Sequence, residues 1–111
     1  MQLAISTSGK EASAPLTGFG RASGFILYDT EKGDSSYLSN AQNMLAARGA
    51  GAKTAQDVAQ AGVQAVITGK MGPKAADYLQ GKNIKIYLAS QSTVQEAIQA
   101  YHAGNLQELK G

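Results

Sequence analysis

The chain has no cysteine and a single histidine, His102. Without thiols there are no disulfides, no cysteine nucleophile, no zinc knuckle and no thiolate-held iron–sulfur cluster. One imidazole rules out a metal site built from several histidines of one chain. No apolar run approaches the length of a membrane span, and the N-terminus lacks the pattern of a secretory signal. The expectation is a cytoplasmic protein with no membrane partner. Charge is scarce as well: 16% of residues are charged and the net charge is +2. That balance does not indicate nucleic acid, and none is expected as a partner.

What is present is a single domain, residues 1–111, with 43% hydrophobic residues. That is enough to bury a core without staples. Gln2–Ser6 alternates as a strand. A long polar loop leads to the buried run Gly24–Asp29, a turn around Gly33 and a partner strand Ser35–Ser39. Residues 40–51 read mostly as loop. A helix is expected over about Gly51–Ala61 with Gly62 as its C-cap, then a strand Val63–Thr68. Pro73 suits the start of a helix Lys74–Gln80, ending at Gly81. Ile84–Ala89 reads as a strand. Ser92 or Thr93 caps a last helix, Val94–Ala103, with Glu96 closing a capping box from Thr93. Residues 104–111 read as a short tail.

The order β-β-β-α-β-α-β-α predicts an antiparallel meander followed by right-handed parallel crossovers. The simplest result is a five-stranded mixed sheet, order 3-2-1-4-5, with helices on both faces. Such a sheet has a topological switch point between its first and fourth strands, where open α/β sheets bind ligands. On this plan Lys10, Arg21, Arg48, Lys53, Lys70 and Lys74 share one edge. The one acid placed with them is Glu11. Three helix N-termini meet that edge too, each favouring an adjacent anion by about 0.3–1 kcal/mol.

Which anion is the question raised by "AVITGKMGPKA", where a strand stops and two lysines and two glycines precede a helix. Phosphate is the first answer. The nucleotide motifs fail, however. "ARGAGAKT" has Ala47 and Ala52 where a P-loop requires glycine, and "GFGRASG" leads into a strand instead of a helix. The first strand carries no acid, which removes ribonuclease H-type two-metal chemistry. A lone histidine in a late helix allows no Ser-His-Asp set. No catalytic constellation is found, and an enzyme is not expected.

Two segments resemble a known family. "GFGRASGFILYD" is similar to the "HFGRAxxFxIYD" segment of the dinitrogenase iron–molybdenum cofactor biosynthesis family. "GVQAVITGKMGPKAADYLQGKNIKIYLASQSTVQEAIQAYHAGNL" is similar to that family's second half, including "GxxGPKA" and "TVxEAIxxYxxGxL". The family includes nitrogenase cofactor carriers and the small orange protein of sulfate reducers. A stand-alone chain without cysteine is nearest in type to the latter.

The resemblance implies a three-layer α/β/α fold with a ribonuclease H-like motif. It implies non-enzymatic binding or carriage of an anionic molybdenum–copper sulfide cluster, with the iron–molybdenum cofactor or a precursor as the alternative. Lys70, Lys74, Arg21 and Lys53 would supply charge. Gly18, Gly20, Gly69 and Gly72 would allow close backbone approach. Met71 and Phe19 would offer polarizable surface. Many members carry histidine where this chain has Gly18, so holding without metal ligation is favoured.

Plainer readings stand beside these. The glycines make turns, the lysines are solvated, Arg21 pairs with Glu11, Met71 and Phe19 pack, Asn40 and Asn43 serve a turn, and His102 caps a helix. Two other functions also stand as alternatives: a module for a ParA/MinD-type ATPase partner, and a small phosphate- or nucleotide-binding regulator.

Overall fold

Along Gln2–Thr7 (β1), Ala4 enters one apolar layer while Leu3 and Ile5 enter the other. The same split recurs in Ala65–Thr68 (β4), where Val66 opposes Ala65 and Ile67, and in Gly24–Asp29 (β2), where Phe25 opposes Ile26. Strands apolar on both faces must be covered on both faces. The computed structural model, which describes residues 1–11, 13–44, 50–90 and 93–109, shows that cover. For Arg21, Met44 and Ala50 the description extends to the backbone alone.

One layer holds the helices Ala50–Gln60 (α2) and Pro73–Gly81 (α3), with Ala55, Val58, Ala75, Ala76 and Leu79 against the sheet. The other holds Val94–His102 (α4), with Val94 and Ala97 inward. Completing the sheet are Ser35–Ser39 (β3), Lys85–Leu88 (β5) and Gln107–Glu108 (β6). Its order is β3-β2-β1-β4-β5-β6. β1 pairs antiparallel with β2 and parallel with β4, Leu3 lying opposite Ala65 and Ile5 opposite Ile67. The switch point therefore falls between β1 and β4, as expected.

Three expectations change. The tail is not all irregular, because β6 adds a minor antiparallel strand on β5. The segment read as loop contains a one-turn helix, Ala41–Met44 (α1), while residues 45–49 lie outside the described residues. α3 does end at Gly81, but the glycine is not the residue that turns left-handed. It is the last helical residue, Lys82 caps it, and Asn83 takes the left-handed turn at φ 61°. Asparagine tolerates that region better than most residues, so no glycine was needed. Gly33 and Gly62 do occupy left-handed φ, at 74° and 82°. The Thr93–Glu96 capping box is formed; Ser92, the other candidate cap, lies outside the described residues.

Candidate functional site

At the C-terminal ends of β1 and β4 two buried hydroxyls meet. Ser6 Oγ lies 2.8 Å from Thr68 Oγ1 and 2.6 Å from the Thr17 carbonyl. The Gly69 N–H donates to that same carbonyl at 3.0 Å, and the Phe19 N–H donates to the Lys70 carbonyl at 2.8 Å. The loop after β1 and the loop after β4 are thus zipped together over the switch point.

On the α2/α3 side this junction opens into a cleft of about 430 Å³. One wall is the single 3₁₀ turn Phe19–Arg21, contributing Phe19 and Gly20. The second is the start of α2, with Gly51 and Ala52; the third is the start of α3, with Gly72, Pro73, Lys74 and Ala75. The two helices pack closely here, since a Cβ on Gly51 would lie 4.0 Å from the Ala75 methyl. Neither helix has an acid in its first turn. Gly72 caps α3 without a side chain and Pro73 follows, so the N–H groups of Lys74 and Ala75 receive no side-chain cap. The N-terminus of α3 therefore faces the cleft with its partial positive charge unopposed by any acid among the described residues, and the first described turn of α2 beside it carries no acid either.

Gly72 sits at φ −76°, ψ 162°, ordinary extended backbone. Gly20 is not left-handed, and a Cβ at either position would meet nothing within 4 Å. Neither the backbone nor the packing requires glycine at 20 or 72. What their missing side chains leave is bare backbone on the cleft wall.

The other expected residues are spread more widely. Lys74 lines the cleft, and Lys70 is exposed on the adjoining loop, its Cβ 3.6 Å from where a Gly18 Cβ would lie. Among the described residues neither lysine pairs with a carboxylate. Phe19 touches the cleft but is 1% exposed, its ring 5.2 Å from that of Phe25, so it is chiefly a core residue. Met71 is half-buried against the same core.

Lys53 turns along its own helix to an ion pair with Asp57 at 2.8 Å. That hydrogen bond, and a second from Asn43, hold the Asp57 carboxyl below its ordinary value. Gly69 lines a different hollow, with Leu88, Ala89 and Asn105, and its N–H is already engaged. Lys10 departs from the expected basic edge. Its Nζ lies 5.5 Å from the ring of Tyr37, which packs on the α4 side. Arg48 and the Arg21 side chain lie outside the described residues.

His102 is on the α4 side too, between Tyr28 and Tyr101. No group of three or more His, Asp or Glu that could hold a metal ion occurs among the described residues. Among them no helix is long and apolar enough to cross a membrane.

Sequence reasoning missed Gly51, Ala52 and Ala75 as lining residues. For the first two the signal is the run of small residues in "GAGAK", which fails as a P-loop. The sequence reads Asn40 as a turn residue. The structure buries Asn40 at 3% exposure, with its side-chain nitrogen and oxygen both bonded inside the protein.

The chain is a three-layer α/β domain whose cleft adjoins the switch point of its sheet, with no carboxylate among the described residues that line it. The chain belongs to the dinitrogenase iron–molybdenum cofactor family, whose model matches residues 1–104. It is similar to the apo form of the orange protein from Desulfovibrio gigas, with 30% identity and a TM-score of 0.94 over 99% of this chain and 93% of that one. A Thermotoga protein given as a NifB candidate of the DUF35 family is 36% identical, with a TM-score of 0.87 over 99% of this chain and 94% of that one. An uncharacterized protein of Methanocaldococcus jannaschii is 28% identical over 94 residues, 83% of this chain and 80% of the relative. Family and neighbour together support a role related to cofactor binding. None of these proteins is described as a partner of a ParA/MinD-type ATPase.

Proposed function

We propose that this protein binds and carries an anionic molybdenum–sulfur cluster, a molybdenum–copper sulfide cluster in the first instance, without protein–metal bonds and without catalysing a reaction. The observation that carries the reading is the cleft on which the acid-free N-terminus of α3, the acid-free first described turn of α2 and bare glycine backbone converge. A sulfide-coated polyanion suits backbone N–H groups, nearby lysine charge and apolar wall, and it asks for no thiolate. The donor set fits that mode: no cysteine exists in the chain, and His102 lies on the other face of the sheet. The cleft volume falls within the ordinary range of ligand sites, about 300–1,000 Å³.

In this reading Gly20, Gly72 and the start of α2 admit the cluster, and Lys70, Lys74, Gly18 and Arg21 flank it. Phe19 and Met71 serve mainly by packing the wall. Lys53 contributes if it leaves Asp57. The family model's own cargo, the iron–molybdenum cofactor or a precursor of it, is the alternative ligand for the same cleft.

The test is to incubate the protein with tetrathiomolybdate and copper, desalt it, and record the visible spectrum and metal content. Retained charge-transfer bands with molybdenum and copper in constant proportion are expected. The double substitution Lys70→Glu, Lys74→Glu should keep the fold and lose the colour. Wild-type retention by that variant rejects the site. Thermal stabilisation by nucleotides but not by tetrathiomolybdate moves the cleft to phosphate ligands.

A further inference from the structure

A buried amide is tolerated where each of its groups is bonded, and Asn40 meets that condition across three separate elements. It sits between β3 and α1. Its Nδ2 donates to the Ala22 carbonyl at 2.9 Å, and its backbone N–H donates to the Ser23 carbonyl at 2.9 Å. Its Oδ1 accepts from Thr54 Oγ1 at 3.0 Å and from Asn43 Nδ2 at 2.8 Å. Asn43 Nδ2 also reaches Asp57 Oδ2 at 2.8 Å, and Lys53 holds the other carboxylate oxygen. A carbonyl only accepts, so the Asn40 atom facing Ala22 must be the nitrogen.

These partners belong to two walls of the cleft. Ala22 closes the 3₁₀ turn, its N–H directed to the Phe19 carbonyl at 3.4 Å, and that turn carries Gly20. Thr54 is fully buried two residues after Ala52. The turn is joined to the loop that leads into α3 by the Phe19–Lys70 bond, and α2 and α3 touch at Gly51 and Ala75. Asn40 supplies the remaining side of that triangle, joining the turn to α2.

The geometry points to Asn40 as a positioning residue for the cleft. It sets the separation of the turn from the Gly51–Ala52 end of α2, so that both walls close on one ligand together. This rests on the cleft being the anion site. A donor displaced by an ångström loses most of its hydrogen bond, so a clamp of this kind controls affinity without touching the ligand.

The experiment compares wild type, Asn40→Asp and Thr54→Val by amide NMR during titration with tetrathiomolybdate alone. Asn40→Asp keeps the acceptor for Thr54 and Asn43 but sets oxygen against the Ala22 carbonyl. In wild type, amides of Gly20, Gly51, Ala52, Lys74 and Ala75 should shift. In Asn40→Asp, affinity should fall about tenfold or more, the order expected for one lost hydrogen bond beside a charge. The Gly20 amide should stop responding while Lys74 and Ala75 still do, a split that a purely structural role would not produce. Thr54→Val should show the same split more weakly, and it decides the matter alone if Asn40→Asp does not fold. Variants that bind with wild-type affinity and footprint, whatever their melting temperature, overturn the proposal. A wild type with no shifts at the cleft fails the cargo reading itself, before any variant is compared.

Discussion

The Phe19 N–H donates to the Lys70 carbonyl at 2.8 Å, joining the two segments that carry the family resemblance. The contact is long-range: Thr17 and Thr68, on either side of the same junction, are 51 residues apart in the chain. Beneath it the Ser6 and Thr68 hydroxyls are fully buried and bonded to the loop carbonyls. The polar residues at the ends of β1 and β4 are therefore fasteners for the site loops. They do not contact the cleft.

Replacing Ser6 with alanine removes one fastener from a buried network. The Thr17 carbonyl keeps the Gly69 N–H, but the Thr68 hydroxyl loses its closest partner. The expected loss is about 1–3 kcal/mol, the usual range for leaving a buried polar group short of a partner. Urea unfolding measures it. Hydrogen exchange should also quicken at the Phe19 and Gly69 amides more than at β5. A uniform change across the sheet would separate Ser6 from the loops.

Phe19→Ala should be a stability mutation first. The ring is almost wholly buried against Phe25 and Val66 lies in the same layer. A truncation of this kind costs about 3–5 kcal/mol. Phe19→Leu should recover most of that loss and keep cluster retention. If Phe19→Ala were as stable as wild type in urea, the ring would have to be doing its work on a ligand.

The sheet order was legible because the element signals are clear: alternation in β1, apolar runs in β2 and β4 bounded by turn residues, and a capping box at α4. β6 was not legible, because two residues of strand carry no periodic signal and are set by pairing to Tyr87 and Leu88. For the site, the loop at Gly69–Lys74 advertised itself by its lysines, yet charge alone did not say where side chains would turn. Lys53 went to Asp57, its i,i+4 neighbour on the same helix, and Lys10 to Tyr37, a neighbour that sequence order does not single out. Asn40 looked like any loop asparagine. Its role depends on Ala22 and Thr54 being brought to it by the fold, and neither residue type signals that.

The Asp57 carboxyl is held below its ordinary value first by the Lys53 hydrogen bond and then by Asn43. A depressed carboxylate stabilises the fold at pH above its unfolded value and loses that contribution as pH falls through the folded one. The window therefore lies below the ordinary value of 3.8. Asp57→Asn should be less stable than wild type at pH 7, by about 0.5 kcal/mol for so exposed a pair. The gap should close in acid. Carboxyl NMR titration should show Asp57, and Asp29 at its β2–β3 turn, still ionised below that value. Asp57→Asn also frees Lys53, so tighter tetrathiomolybdate binding at low salt is expected if Lys53 serves the cleft. Unchanged affinity would remove Lys53 from the site.

Gly20 and Gly72 separate what the fold needs from what a ligand needs. A Cβ at Gly20 meets nothing within 4 Å, and its φ is not left-handed. Alanine there should leave stability unchanged or raise it, by about 0.4–1 kcal/mol through the less flexible unfolded chain. Gly72 is an N-cap, where alanine is a poorer residue, so a small loss of about 0.5–1 kcal/mol is expected instead. Both substitutions place a methyl on bare cleft backbone, and leucine at either position would fill more of the opening. Cluster retention should fall in the order glycine, alanine, leucine at both sites, although the stability changes differ in sign. Retention that follows melting temperature, and not side-chain size, would mean that these glycines belong to the fold and that the ligand lies elsewhere.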